Sequence, residues 1–171
     1  MTSTRRPNPA PNATPPATRD RRRVTIDDTD KAVIEALQHD GRLPYTKLAA
    51  IVGLSEAAVR QRLQRLIDNG VVQVVAVTDP LTLGFRRMAM VGITVEGDAR
   101  GVADTLSAMP EIDYVVMVAG SFDLLIEVVC ESDDDLLVLL NEKIRAIPGV
   151  RTTESFTYLH LSKQTYAWGT R

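Results

Sequence analysis

Apolar residues in the first third of the chain recur every three or four positions, which is the spacing of an amphipathic helix. This spacing predicts three helices, over residues 26–39, 44–52 and 55–69. Gly53 lies between the last two, where a residue without a Cβ suits a chain reversal, and Gly41 is expected to end the first helix in a left-handed conformation. Ser55 can cap the third helix, because its hydroxyl accepts from the free amides of the first turn. The pattern therefore predicts a helix-turn-helix.

The third predicted helix has an apolar face and a polar face. Its apolar positions are Val59, Leu63, Leu66 and Ile67. At about 100° per residue, the opposite face carries Ala57, Gln61, Gln64 and Arg65, with Arg60 and Arg62 on its flanks. Arginine can pair bidentately with guanine and glutamine with adenine, so this face suits the major groove of DNA. On these residues alone, the solvated face of a helical hairpin is an equally good interpretation.

The residues after the third helix are β-branched and predict a strand over 71–77. Three helices followed by a strand pair predict a winged helix-turn-helix over residues 24–78. The partner strand is either the segment 23–26 or the second half of 71–77 folded back. Asp79 and Pro80 then break the strand, and residues 79–87 are a linker.

Beyond the linker, apolar runs of strand length alternate with amphipathic segments. Strands are predicted over 88–95, 114–119, 124–130 and 150–159, and helices over 98–109 and 133–147. The order βαββαβ predicts a ferredoxin-like domain over 88–171, so the chain is of the α+β class. The strands are apolar at successive positions, so both faces of the sheet require burial. This predicts a homodimer, or a larger homo-oligomer, assembled through the sheet.

The formal charge of the chain is uneven along its length. Residues 1–23 carry six arginines against one acid, whereas residues 86–171 carry eight basic residues against thirteen acids. We therefore expect any polyanion to bind the N-terminal half of the chain. Residues 1–23 also hold five of the nine prolines, and they are predicted to be a disordered basic tail. An arm that contacts DNA is the second interpretation of this tail.

Motifs for other kinds of chemistry are sparse. There are two histidines, and neither a phosphate-binding loop nor a Gly-x-Ser-x-Gly motif is present. We therefore expect no catalytic residue, no metal site and no cofactor. Cys130 lies in an apolar run and is expected to be a buried small side chain. The sequence has neither an uninterrupted apolar run of about 20 residues nor the apolar region of a signal peptide, so we expect no membrane partner and a cytoplasmic location.

Several short motifs, in this order and spacing, resemble the Lrp/AsnC family, the feast/famine transcription regulators. The resemblance covers residues 27 to about 168. In the first domain it is carried by Asp27 and Asp30, Asp40-Gly41-Arg42, Leu48-Ala49, Gly53-Leu54-Ser55, Arg62, Arg65-Leu66 and Asn69-Gly70-Val71-Val72. In the second domain it is carried by the turn Ala119-Gly120-Ser121-Phe122-Asp123-Leu124-Leu125.

The resemblance implies a bacterial transcriptional regulator that binds double-stranded DNA through the third helix. The predicted DNA contacts are Arg60, Gln61, Gln64 and Arg65 near base edges, with Ser55 and Arg62 nearer the phosphate backbone. It also implies a small-molecule effector, an amino acid, bound between second domains of adjoining dimers. The predicted effector residues are Gly120, Ser121, Phe122, Asp123, Thr152, Thr153 and Ser155. Asp123 would meet an α-ammonium group; alternatively, it only caps its own turn.

The sequence departs from the family pattern at two places. Pro44 and Lys47 stand where relatives often carry the Ser and Glu of a capping box, so this cap is expected to be absent. Gln61 stands where relatives often have a basic residue, which puts the target sequence in doubt. Two other classes of function are alternatives: the regulatory part of an enzyme, and an assembly module whose helices bind another protein. Salt dependence separates the last class from DNA binding, because counterion release makes DNA affinity fall steeply with salt.

Overall fold

The computed structural model describes residues 24–165 and 167–171, and they form two compact units. One unit contains the described residues up to Ala76 together with the C-terminal segment from Thr165 to Arg171. The other runs from Val77 to Gln164. The predicted basic tail over 1–23 lies outside the described residues. We call the first unit the reader domain and the second the sheet domain.

Three helices build the reader domain: α1 (Asp28–His39), α2 (Tyr45–Val52) and α3 (Glu56–Asp68). Gly53 has φ 68°, as the predicted turn requires. The Ser55 hydroxyl accepts from the Ala58 amide at 3.2 Å, which caps α3 as predicted. Pro44 begins α2 without a side-chain cap, so the expected loss of the capping box is confirmed. The helix-turn-helix is therefore present.

The core of the reader domain is small. Four fully or nearly fully buried side chains meet where the helices cross: Val33, Leu48, Val59 and Leu63. Leu66 is also buried, but Ile67, which the helical spacing places on the apolar face of the third helix, is exposed, as is Ile51 of α2. Their positions lie at the margins of the apolar stripes, where a short helix crossing covers only the central residues.

The predicted strand over 71–77 is wrong, because no strand forms anywhere between α3 and the sheet domain. Residues 24–26, offered as its partner, are not a strand either. A strand requires a neighbour to satisfy its amides and carbonyls, and β-branched residues alone do not supply one. Val74, Val75 and Val77 are exposed instead. The expected left-handed cap at Gly41 is also wrong, since α1 ends at Asp40 in an extended conformation.

The sheet domain has the predicted βαββαβ order. Its strands are β1 (Arg87–Val95), β2 (Ile112–Met117), β3 (Leu124–Cys130) and β4 (Val150–Thr157). The first helix is α4 (Ala99–Ser107); the second is α5 (Asp133–Val138), which continues directly as a π-helix over Leu139–Ile144. The strands pair antiparallel in the order β2-β3-β1-β4. The α+β fold with a helix-turn-helix and a ferredoxin-like domain is thus confirmed.

One face of the sheet is covered by the helices and the other is not. Val91 and Ile93 of β1 are fully buried beside Ile126 of β3, under Leu106 and Ile144. Residues that alternate with them along the strands point to the opposite side. This uncovered sheet face carries Glu127 and Glu154 and seven apolar residues: Met88, Met90, Tyr114, Val116, Leu125, Val129 and Phe156. Tyr114 and Phe156 are exposed there, as expected for a sheet with apolar residues on both faces.

Among the described residues, no helix combines the length and the apolar character needed to cross a membrane.

Candidate nucleic-acid interface and effector site

The outward side of α3 is a shallow concave surface, lined by Ala57, Arg60, Gln61, Gln64, Arg65, Asp68 and Asn69. Gln61 is exposed on it, and Gln64 Nε2 donates to Asp68 Oδ1 at 2.8 Å. Four of the predicted DNA contacts, Arg60, Gln61, Gln64 and Arg65, therefore lie on one surface, which we call the reading face. Ser55 lies at the start of α3, with its hydroxyl occupied by the helix cap.

Arg60 is held in place by two neighbours. Its guanidinium lies over the Tyr45 ring of α2, with 4.4 Å between the guanidinium carbon and the ring centroid. Its Nη2 also donates to Glu56 Oε1 one helical turn earlier, at 3.1 Å. A guanidinium group stacked on an aromatic ring keeps the N–H donors at the edge of its plane, its fork, available for further hydrogen bonds. Arg60 is therefore oriented on the reading face and still exposed.

Arg62 and Arg65 are engaged by acidic residues of α1. Arg62 Nη1 donates to Asp27 Oδ2 at 2.6 Å and to Asp30 Oδ1 at 3.0 Å. Arg65 Nη2 donates to Asp30 Oδ2 at 2.5 Å. The Asp30 side chain is 0% exposed, so its charge is compensated inside the protein by these two arginines. The pairs cross from the first helix to the third and fix their relative orientation.

Asp27 and Asp30, which we call the acidic pair, also form the N-terminal cap of α1. The Asp30 amide donates to Asp27 Oδ1 at 2.7 Å, and the Asp27 amide donates to Asp30 Oδ2 at 3.2 Å. Two carboxylates this close repel one another unless a cation lies between them, and Arg62 provides that cation. Its hydrogen bond is the largest of the effects that lower the pKa of Asp27, and Asp27 in turn raises the pKa of Arg62.

Sequence reasoning missed the roles of Tyr45 and the acidic pair at the interface. The Asp-x-x-Asp spacing is a local feature of the sequence, and nothing local shows that α3 crosses α1 at this point. Arg62 was predicted near the phosphate backbone; the structure shows it bound to both carboxylates and 31% exposed. Arg42 and Lys47 are exposed and form no ion pair with any described residue, which makes them further candidates for phosphate contact.

The turn before β3 carries the first group of predicted effector residues. Asp123 ties this turn to β1: its amide donates to the Ile93 carbonyl at 2.9 Å, and its Oδ2 accepts from the Val95 amide at 2.7 Å. The Val95 amide lies at the irregularity in the β1–β4 pairing. Asp123 therefore does not merely cap its own turn. Gly120 and Ser121 are exposed beside it, and a Cβ at Gly120 would meet nothing within 4 Å.

Phe122 is a packing residue on the uncovered sheet face. Its ring lies over Gly92, where an added Cβ would come within 2.7 Å of ring atoms. It also meets Phe156 edge to face, with 6.2 Å between the ring centroids. Gly92 is therefore required by the close approach of this ring.

The predicted effector residues of β4 are divided between the two sides of the sheet. Thr152 pairs with Thr94, and their hydroxyl oxygens are 2.5 Å apart. Thr153 and Ser155 pair with the buried Ile93 and Val91, so they lie on the helix side. Thr153 accepts there from Arg145 Nε at 2.9 Å. The structure therefore does not bring the three hydroxyls to one place.

No group of three or more potential metal-ligating side chains occurs within the described part of the chain.

Comparison with known proteins assigns a family to both domains. The model of the AsnC-type helix-turn-helix domain matches residues 26–67. A second model of AsnC-type regulators, described as a C-terminal dimeric alpha+beta barrel domain, matches residues 85–171. An HTH-type transcriptional regulator of Pyrococcus furiosus is 33% identical over 145 residues, which cover 84% of this chain and 95% of the relative.

Two solved structures are also similar. The leucine response regulatory protein of Mycobacterium tuberculosis is 32% identical with a TM-score of 0.75, over 81% of this chain and 95% of that chain. The AsnC protein of E. coli is 25% identical with a TM-score of 0.73, over 84% and 98%. The expected bacterial source stays a prediction, because the similar proteins are archaeal as well as bacterial. The chain belongs to the Lrp/AsnC family of helix-turn-helix transcriptional regulators.

Proposed function

We propose that this protein binds specific DNA sequences through the reading face of α3, and that an amino acid modulates its DNA affinity or its assembly. The observation that carries the DNA-binding part is the arrangement of Arg60, Gln61, Gln64 and Arg65 on one exposed face of the third helix. A helix-turn-helix places the second helix of the motif in the major groove, with its N-terminal residues nearest the bases. Arg60 and Gln61 lie in the first half of α3 and Gln64 and Arg65 in the second.

The four residues have different partners in this proposal. Arg60 and Arg65 pair with guanine and the two glutamines with adenine, and each bidentate pair contributes about 1–3 kcal/mol of discrimination. Ser55, Arg42 and Lys47 lie nearer the phosphates. Arg62 contributes positive charge near the backbone, but its main partners are the acidic pair. Three of these eight residues, Ser55, Gln61 and Gln64, are uncharged, and the charge of Arg62 is already offset by the acidic pair. One copy of the domain should therefore bind weakly, and two copies are needed.

Assembly through the uncovered sheet face brings these copies together. This face exposes Tyr114 and Phe156 beside the half-buried Met88, Met90 and Leu125. Apolar surface of this kind favours burial against a second copy. The match to a domain described as dimeric supports the same arrangement. A dimer would place two α3 helices in successive major grooves about one helical turn apart, on a pseudo-palindrome. Higher assembly of such dimers is part of the proposal.

The proposed effector site is the turn from Gly120 to Asp123 together with Thr152. The exposed backbone of Gly120 and Ser121 can approach an α-carboxylate, and Asp123 Oδ1 can meet an α-ammonium group while Oδ2 stays bound to Val95. Thr153 and Ser155 have no part in this site, because they lie on the helix side of the sheet. The similarity to a protein named for its response to leucine supports an amino acid as the class of effector.

The proposed regulation follows from thermodynamic linkage between effector binding, assembly and DNA binding. An amino acid bound between adjoining dimers stabilises one assembly state or one spacing of the reader domains. DNA that prefers this spacing binds more tightly when the effector is present, and the effector binds more tightly when the DNA is present.

The experiment is a footprint of the full-length protein on its own upstream DNA, with and without each of the twenty amino acids. We expect a protected region with pseudo-palindromic sequence, whose extent or affinity changes with one or a few amino acids. Asp123→Asn should abolish that change and leave the basal footprint intact. Absence of any protected region would overturn the DNA-binding proposal. A footprint that no amino acid alters would overturn the effector proposal alone.

A further inference from the structure

The reader domain buries one carboxylate, and its partners lie on the DNA-facing helix. Asp30 is the only charged residue that is buried among the described residues. Its Oδ1 accepts from Arg62 and its Oδ2 from Arg65, and both arginines belong to α3. Removing a carboxylate from water is costly, and the cost is offset only when its cations are held in good geometry. The position of Asp30 therefore constrains where the two guanidinium groups can lie.

The two arginines are constrained to different degrees. Arg62 is bound by both members of the acidic pair and is 31% exposed. Arg65 is bound by Asp30 through one terminal nitrogen and is 46% exposed. A guanidinium group has five N–H donors in a planar fork, so Arg65 retains donors for a bidentate contact outside the domain. Asp30 therefore anchors one end of this fork and leaves its other donors available.

We propose that Asp30 is a positioning residue for DNA recognition, which holds the Arg65 fork in the orientation that reads a base edge. The inference rests on the proposed function, because it assigns a cause to the specificity of the reading face. It does not require Asp30 to touch DNA. A fork held before binding loses less conformational freedom when it pairs with guanine, and it rejects bases that would need another orientation.

Simple electrostatics and positioning predict opposite results when the charge of Asp30 is removed. A negative charge near the DNA surface repels phosphate, so its removal should strengthen binding to DNA of any sequence. Loss of positioning should instead weaken binding to the preferred sequence alone. The ratio of the two affinities therefore separates the roles, and a merely structural contribution to folding would lower both affinities together.

The test compares Asp30→Asn with wild type, using full-length protein and two duplexes. The first is the duplex that wild type selects from a randomised library, and the second is a scrambled sequence of the same composition. In Asp30→Asn the charge that attracts both guanidinium groups is lost and one of the two acceptor oxygens becomes a donor, which weakens the hold on the Arg65 fork. We expect the selectivity ratio to fall about tenfold, with unchanged or stronger binding to the scrambled duplex.

The matched control is Asp28→Asn. Asp28 lies on the same turn of α1 and carries the same charge, but its partner is Lys31 at 3.3 Å rather than an arginine of α3. This variant should keep the wild-type selectivity ratio. If Asp28→Asn lowers the ratio as much as Asp30→Asn, the effect is one of net charge and the inference is overturned.

Arg65→Lys tests the same contact from its exposed partner, in case Asp30→Asn fails to fold. It keeps the charge beside Asp30 but removes the fork, so we expect the same loss of selectivity in a folded protein. In the Arg65→Lys background, Asp30→Asn should cause little further loss, because the two residues act through one contact. Additive losses would overturn the inference, as would unchanged selectivity in either single variant. A library selection with wild type that yields no preferred sequence would overturn the proposed function itself.

Discussion

The reader domain has a core cluster of four apolar side chains and, in addition, a buried carboxylate that is paired with two arginines. The core of the sheet domain is a cluster of thirteen buried residues, none of them charged. Apolar packing has no preferred direction, and it tolerates rearrangement of similar side chains. Paired charges hold particular atoms at particular distances. The comparison shows a difference in where the ion pairs lie. The reader domain joins α1 to α3 through a buried carboxylate, whereas the ion pairs of the sheet domain, Arg87 with Asp133 and Lys143 with Glu111, lie outside its buried core.

The two domains also differ in what they leave exposed. The reader domain exposes a polar and cationic face, which suits a polyanion. The sheet domain exposes an apolar face on the side that its helices do not cover. The two surfaces differ in chemical kind. Changes to the reading face should leave assembly intact, whereas changes that prevent assembly should also weaken DNA binding, because two copies of the reader domain are needed.

Phe156→Glu should disrupt assembly. Phe156 is 46% exposed in a single chain, where it meets the Phe122 ring edge to face. In a dimer formed through the uncovered sheet face, the new carboxylate would be buried without a partner, at a cost of about 3–5 kcal/mol. We expect the dimer dissociation constant to rise at least about a hundredfold, as measured by analytical ultracentrifugation.

Thr157→Glu is the matched control for this variant. Thr157 is the next residue of β4, it is exposed, and it pairs with the buried Ala89 on the opposite side of the sheet. The same charge placed there should leave the dimer unchanged. Equal weakening by both variants would show that assembly does not use the uncovered face.

Ile126→Ala should destabilise the sheet domain and spare the reader domain. Ile126 is fully buried at the centre of β3, and its truncation leaves a cavity that costs about 2–5 kcal/mol of unfolding free energy. Hydrogen exchange of the β1 and β3 amides should report this loss, while exchange of the α1 and α3 amides stays as in wild type. Leu137→Ala, at an exposed position of α5, should change neither. Matching losses in both domains would mean that they do not unfold separately.

Two ionisable side chains, Asp27 in the reader domain and Tyr158 in the sheet domain, should contribute to stability with opposite pH dependence. Arg62 lowers the pKa of Asp27, so this contribution to reader stability is present at neutral pH and is lost as pH falls below about 4. Burial, with a hydrogen bond to Glu127, raises the pKa of Tyr158 in the sheet domain to about 12. Its contribution is present below the ordinary tyrosine pKa of about 10 and is lost as pH rises through 12. Urea unfolding of both domains at each pH limit would check this. Asp27→Asn should remove the Asp27 contribution at low pH and leave that of the sheet domain, where Arg87 lowers the pKa of Asp133.

The sequence predicts more of the fold than of the candidate site. The helical spacing around Val59 and Leu63 and the apolar runs of the sheet domain are local signals, and the structure confirms the elements they predict. The strand over 71–77 failed because β-branched residues report only a local preference, whereas a strand also needs a partner. At the reading face, spacing placed Arg60, Gln61, Gln64 and Arg65 together correctly.

What remained hidden from the sequence depends on contacts between distant residues. The bonds from Asp30 to Arg62 and Arg65 span more than 30 positions of the chain, so no window of the sequence contains them. The division of Thr152 and Thr153 between the two sides of the sheet was hidden in part for the same reason. Alternation along a strand shows that they face opposite sides, but only the register with β1 shows which side the helices cover.

The DNA-reading role of α3 is tested most directly by the affinity of the double variant Arg60→Ala and Arg65→Ala for the duplex that wild type selects. Two lost base contacts should weaken this binding at least about thirtyfold, and binding to a scrambled duplex should weaken less. The control is Arg100→Ala with Arg151→Ala, which removes two exposed arginines from the sheet domain and should leave the selectivity ratio unchanged. Wild-type affinity and selectivity in the double variant of α3 would contradict the assignment of the reading face.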